Sequence, residues 1–320
     1  MKLNLTKLTM MIFIIMSTTM MMSSNNIFYS WMSMEINMIS FLPLLTKSKK
    51  MSDQPMKYFI IQSVASSMML MSILINSMIE TPINLSNMLM ISMLMKMGMM
   101  PFHLWMVNTM QSMTWTNCML LSTLQKIAPT MIISQTMTIM MTIMPTMLSM
   151  FMAPIAAMNQ TSTKSIMAYS SISNSPWMIM SMMMSKQMFL MFFFMYSMLT
   201  IMTMKKMKES NIMFINQMTS KSMKKKINLI ILILSMSGMP PMLGFLPKWM
   251  ILEKMMLSSM LIPMMMILSS MTSTFIYMKM ISMMVMMSKM TKKTNKEKME
   301  KNFELWINML GLPMMMILKL

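Results

Sequence analysis

Apolar runs of helix-spanning length alternate with short polar stretches along nearly the whole chain. A helix that crosses a bilayer needs about 20 apolar residues. That rule predicts helices over roughly 8–23, 27–45, 57–79, 84–112, 115–138, 140–157, 164–184, 187–204, 226–256, 257–286 and 304–319. The expected fold is an all-α polytopic membrane protein of about 11 transmembrane helices, forming a single transmembrane domain over residues 1–320. Two of the runs are interrupted. The fourth contains Lys96-Met97-Gly98-Met99-Met100-Pro101-Phe102-His103-Leu104-Trp105, and the ninth contains Ser237-Gly238-Met239-Pro240-Pro241-Met242-Leu243-Gly244-Phe245-Leu246-Pro247-Lys248-Trp249. Pro101 cannot donate to the carbonyl of Met97, so the helix must open there. Open backbone at membrane depth survives only where protein or a polar cavity satisfies it. The broken helices occupy matching places in two five-helix blocks, roughly 8–138 and 140–286. Five is odd, so the blocks run in opposite senses. Paired interrupted segments in inverted repeats are the signature of a transporter core.

Composition agrees with a membrane protein. Charged residues make up 11% and the mean hydropathy is +0.58, whereas soluble domains carry about 25% charged residues. The 75 methionines, and 27 lysines without one arginine, are the usage expected of an A-rich gene under a mitochondrial code that reads ATA as methionine. Methionine is flexible and apolar, so packing tolerates its exchange for isoleucine. Spread over every apolar segment, it does not form the local clusters that copper binding needs. Apolar sequence begins around Thr9 and reads as a first membrane helix with no cleavable presequence, a signal-peptide core being the alternative.

The net charge of +19 points to membrane topology rather than nucleic acid, because basic patches interleaved with aromatics are absent. With the predicted helices, twenty lysines fall on the side of the N-terminus and three (Lys186, Lys254 and Lys319) on the other. This bias places the N-terminus on the cytoplasm-equivalent side, which is the matrix of a mitochondrion, and the C-terminus on the intermembrane-space side. Cys118 and His103 are single, which excludes an internal disulfide and any zinc or iron–sulfur centre built from this chain alone. With four glycines there is no phosphate-binding loop either.

The other four lysines, Lys96, Lys126, Lys248 and Lys279, lie within helices, and Glu35 is the one acid at comparable depth. Lys96 and Lys126 sit about eleven residues into their helices, roughly 17 Å down at 1.5 Å per residue, the middle of a ~30 Å core. An ionisable residue there is a functional hypothesis by default. Lys279 is placed to snorkel to the surface. Taking a lysine out of water disfavours its charged form, and a nearby carboxylate restores it. At about 7 Å and an effective dielectric of 20, one charge moves another by roughly 2.4 kcal/mol. Moving a charge across 100 mV costs ~2.3 kcal/mol. One such switch only matches the load, so several in series are expected. The structural alternatives are a Glu35–Lys96 ion pair joining two helices, a Lys126 hydrogen-bonded to broken-helix carbonyls, and a solvated Lys248. For His103 they are a relay and a cap on freed carbonyls.

Six stretches in order, Trp31 to Pro43 (WMSMEINMISFLP), Lys57 to Gln62 (KYFIIQ), Lys96 to Trp105 (KMGMMPFHLW), Gln125 to Pro129 (QKIAP), Asn159 to Ser171 (NQTSTKSIMAYSS) and Gly238 to Trp249 (GMPPMLGFLPKW), resemble the subunit 2 family of mitochondrial NADH–ubiquinone oxidoreductase, complex I. The resemblance implies an antiporter-like membrane-arm subunit, shortened at its N-terminus, in which an acid–lysine pair begins a proton-carrying axis that two further lysines continue. Those roles fall on Glu35, Lys96, Lys126 and Lys248. It also implies that NADH, FMN, iron–sulfur clusters and ubiquinone are used by other subunits, with no cofactor bound by this chain, and that the partners are neighbouring membrane-arm subunits and the lipid bilayer. The chain departs from the family at Leu124 (usually tryptophan), Lys164-Ser165 (usually Arg-Lys), Asn174 (commonly histidine) and Pro176 (usually glycine), the last expected to bend the seventh helix. Asn174 cannot titrate. Two other classes fit the bare residues: a membrane anchor without its own proton path, and a stand-alone cation/proton antiporter.

Overall fold

Hydroxyl side chains have no water to bond inside a bilayer, and in this chain they turn back onto their own helices. Ser17, Thr18, Ser33, Ser72, Ser92, Ser149 and Ser171 each donate to the carbonyl three residues earlier, at 2.6–2.9 Å. This is how apolar sequence rich in serine and threonine stays helical where every polar group must be satisfied internally. The computed structural model describes residues 5–46, 53–78, 83–136, 139–220, 223–257 and 260–286. The helix expected over 304–319 lies outside them.

The described helices are α1 (Leu5–Ser23), α2 (Ile27–Leu45), α3 (Asp53–Met78), α4 (Ile83–Met97), α5 (Leu104–Ser112), α6 (Trp115–Ser122), α7 (Leu124–Thr136), α8 (Ile139–Met158), α9 (Thr163–Met184), α10 (Lys186–Glu209), α11 (Met223–Ser237), α12 (Phe245–Met256) and α13 (Leu261–Met286). A 3₁₀ turn covers Ile215–Ser220, and one isolated bridge pairs Ser162 with Phe214. Among the described residues, five helices are long and apolar enough to cross a membrane unbroken: those over Leu5–Ser23, Asp53–Met78, Met140–Met158, Lys186–Glu209 and Leu261–Val285. Their outward faces carry large apolar side chains such as Phe13, Ile15, Ile60, Phe194 and Phe275, the surface a lipid solvent requires. α10 runs past its expected end through Lys205, Lys206 and Lys208. Cations in a last turn are favoured by the helix dipole, and Lys206 pairs with Glu209 at 3.5 Å.

The chain divides into two compact units, Met1–Ser149 and Met150–Leu320. In the first, α2 packs between α1 and α3, while α4 lies against α3 and α7. In the second, α9 packs on α10 and α12, and α11 on α10 and α13. α9 is buried on every side from Thr163 to Met182. It runs unbroken through Pro176. The fourth and ninth predicted helices are both interrupted, as α4/α5 and α11/α12. The fifth, expected to be continuous over 115–138, is also interrupted, at Thr123 (φ −113°, ψ −83°). Neither glycine nor proline stands there. Instead the hydroxyls of Ser122 and Thr123 both donate to the carbonyl of Met119, at 3.1 and 2.7 Å. Such back-bonding bends helices.

Candidate functional site

Both expected breaks are built the same way. A helix ends with a glycine in the left-handed conformation, Gly98 at φ +67° and Gly238 at φ +78°, which costs a residue with a Cβ about 1–2 kcal/mol. At the first break, the N–H of Gly98 donates to the carbonyl of Met95 (3.2 Å) and that of Met99 to Leu94 (3.1 Å), the pairing that satisfies the last carbonyls of a helix. The indole Nε1 of Trp105 also donates to the Met95 carbonyl (3.0 Å), and Gln62 Nε2 to that of Lys96 (3.4 Å). At the second break, Gly238 donates to Ser235 (3.2 Å), and Lys248 Nζ donates to the carbonyl of Ser237 (3.0 Å). Pro101 falls in the first opening, while Pro240 and Pro241 fall in the second. Pro247 sits in the first turn of α12, where a missing N–H costs nothing.

Two lysines therefore stand at helix C-terminal ends, Lys96 half-buried and Lys248 buried. Lys96 is in the last turn of α4. Lys248 belongs to the first turn of α12, but its ammonium reaches back to the end of α11 and sits 5.6 Å from the ring centre of Trp177. The C-terminal end of a helix carries about −0.5 of a charge, which favours a cation. A Cβ on Gly238 would lie 3.1 Å from both Cδ and Nζ of Lys248, so the end of the lysine would have to shift to admit one.

In the first unit, Lys96 and Lys126 line one cavity of ≈ 30 Å³, enough for water. Its other polar walls are Asn37, Tyr58, Gln62 and Gln125. Gln125 Nε2 donates to Asn37 Oδ1 at 2.9 Å, which ties α7 to α2. Lys96 Nζ lies 3.9 Å from the thioether of Met34. Lys126 is 2% exposed, in the first turn of α7 just past the Thr123 break. Glu35, half-buried on α2, lies close enough for its charge to act on Lys96, but the two form no ion pair within 4.0 Å and Glu35 does not line the cavity. His103 Nδ1 is 3.1 Å from the carbonyl of Pro101. Exposed Lys279 donates to the carbonyl of Met158 at 3.1 Å. Asn37, Gln62 and Gln125 were not singled out from sequence, because an uncharged amide within a membrane helix carries no depth penalty comparable to a lysine. The available signal was position, each lying inside a stretch that carries the family resemblance.

Two interrupted helices at matching places along the chain are the arrangement of a membrane-transporter core. The chain belongs to the NADH:quinone oxidoreductase/Mrp antiporter transmembrane family, whose model matches residues 24–276. NADH-ubiquinone oxidoreductase chain 2 of Locusta migratoria is 40% identical over 264 residues, 79% of this chain and 77% of that protein. The protein of the same name from Dugong dugon is 30% identical over 274 residues, 80% of this chain and 79% of that protein. In fold, the chain is similar to a subunit of respiratory complex I from Thermus thermophilus, with a TM-score of 0.81 at 14% identity, covering 98% of this chain and 78% of that one. It is also similar to a chain of the Mrp complex from a Dietzia species, with a TM-score of 0.71 at 12% identity, covering 91% and 62%.

Proposed function

We propose that this chain is the antiporter-like chain 2 subunit of a respiratory NADH–ubiquinone oxidoreductase, and that it moves protons along buried ionisable side chains. The carrying observation is the cavity that Lys96 and Lys126 line together. Two lysines on different helices, facing one polar space inside an apolar bundle, can exchange a proton through water without passing through lipid. Glu35 biases Lys96 by its charge, Lys126 receives the proton, and Lys248 continues the path in the second unit. Redox energy comes from other subunits, which hold NADH, FMN, iron–sulfur clusters and ubiquinone. The partners are therefore neighbouring membrane-arm subunits. On this reading the full chain has eleven transmembrane helices with two inverted repeats, one glycine-ended break in each, and lies in the mitochondrial inner membrane.

The test is NADH-driven proton uptake by vesicles holding the assembled complex, with Lys96→Met compared against the unmodified protein. Uptake per electron pair is expected to fall at equal complex content. Unchanged uptake favours a membrane anchor, and cation-driven proton exchange without NADH favours a stand-alone antiporter. Orientation is tested separately. Cysteines placed at the two ends are expected to react from opposite sides of the membrane, and labelling of both from one side rejects the eleven-helix topology.

A further inference from the structure

The hydroxyl of Tyr196 is buried and has no hydrogen-bond partner in the protein. Its ring is 5% exposed and stacks on Phe192, with centroids 6.3 Å apart and planes 8° from parallel. A buried hydroxyl without a partner is costly, and native interiors normally answer it with a bound water. A cavity lies beside this residue. Tyr196 lines a cavity of ≈ 20 Å³ together with Asn174, Ser235 and Lys248, above the roughly 10–15 Å³ that a water needs. A water also needs two to four polar partners, and Asn174, Ser235 and Lys248 are the other polar residues of this lining. Ser235 Oγ donates to the Leu232 carbonyl at 2.8 Å and so keeps its lone pairs for an incoming O–H. A lysine ammonium has three donors, of which the Ser237 carbonyl takes one.

We propose that Tyr196 and Lys248 hold a water molecule between them, and that Tyr196 is a positioning residue for proton transfer to and from Lys248. This rests on the proton-translocating reading above. A proton arriving on the water passes to the neutral amine, which leaves a neutral water and a protonated lysine. The phenol keeps its own proton throughout and holds the water oxygen in line. Asn174, in the same cavity, carries no exchangeable charge and donates its amide to the Ser170 carbonyl at 2.9 Å. Among the polar groups of this cavity, the phenol is the one whose hydroxyl has no other partner.

The test uses the assembled complex in vesicles, with Tyr196→Phe and Lys248→Met measured side by side. Phenylalanine keeps the stacked ring and removes the hydroxyl alone. In Tyr196→Phe, coupled proton uptake is expected to fall about fivefold, the loss that follows one missing hydrogen bond. Complex content should be unchanged, and the solvent isotope effect on turnover should shift, which a purely structural change would not cause. An experimental map of the unmodified complex should show a water between the phenol and the lysine. Normal uptake in Tyr196→Phe with a loss in Lys248→Met overturns the positioning role alone. Normal uptake in both overturns the translocation reading beneath it. A higher melting temperature in Tyr196→Phe with normal uptake means the hydroxyl was dry, and also overturns the proposal.

Discussion

Lys126→Met is expected to leave the complex assembled and to lower coupled proton pumping by roughly 100-fold, the scale of losing one positioned proton-transfer group. Assembly should hold because methionine nearly conserves the volume and suits an apolar helix. A buried charge also carries a desolvation cost that methionine does not. The loss is specific because Lys126 shares its cavity with Lys96. Without it, a proton released from Lys96 meets only amides, a phenol and thioethers, none of which binds a proton near neutral pH. The measurement is proton uptake per electron pair, normalised to assembled complex. Normal pumping and turnover reject the relay role. Lost assembly with normal activity in the surviving fraction favours an anchor.

Gly244→Ala is expected to fail at the earlier stage of assembly, with a destabilisation above about 4 kcal/mol, the range reserved for severe disruptions. Gly244 has an ordinary backbone conformation, φ −67° and ψ −14°, so the cause is space alone. A Cβ there would stand 1.8 Å from the carbonyl oxygen of Ser235 and 2.9 Å from its carbon. Both are backbone atoms of α11, so no rotamer change relieves the clash. α11 and α12 must part, and with them the wall of the Lys248 cavity, to which Ser235 and Gly244 both belong. The amount of assembled complex is the readout, and a normal yield would contradict the close packing of these two half-helices.

The candidate site was legible wherever the sequence holds an expensive residue. A lysine at bilayer depth is conspicuous in a chain with 11% charged residues, and Lys96, Lys126 and Lys248 were found that way. Glycine beside proline likewise marked both breaks. The Thr123 break was invisible for the opposite reason. Serine and threonine fill this chain's helices, and most of them bond back without interrupting anything. Only the local geometry distinguishes Ser122 and Thr123, which converge on one carbonyl. Asn37 and Gln125 form a contact between residues 88 apart in the chain, a relation that helix periodicity cannot predict. Glu35 shows the limit of reasoning from depth. It reaches Lys96 through its field, while the next-but-one residue, Asn37, faces the shared cavity, because two positions along a helix turn the side chain some 200°.

The close fit of Lys248 over Gly238 has a consequence for the disorder of the side chain itself. A lysine has four rotatable bonds, and fixing it removes up to about 2 kcal/mol of rotamer freedom. Here the stem lies so near Gly238 that a Cβ there would crowd it, and the ammonium is held by the Ser237 carbonyl beside the Trp177 ring. That freedom is lost once, when the chain folds. If Lys248 carries protons as proposed, each protonation finds the amine already in position, with no search through rotamers.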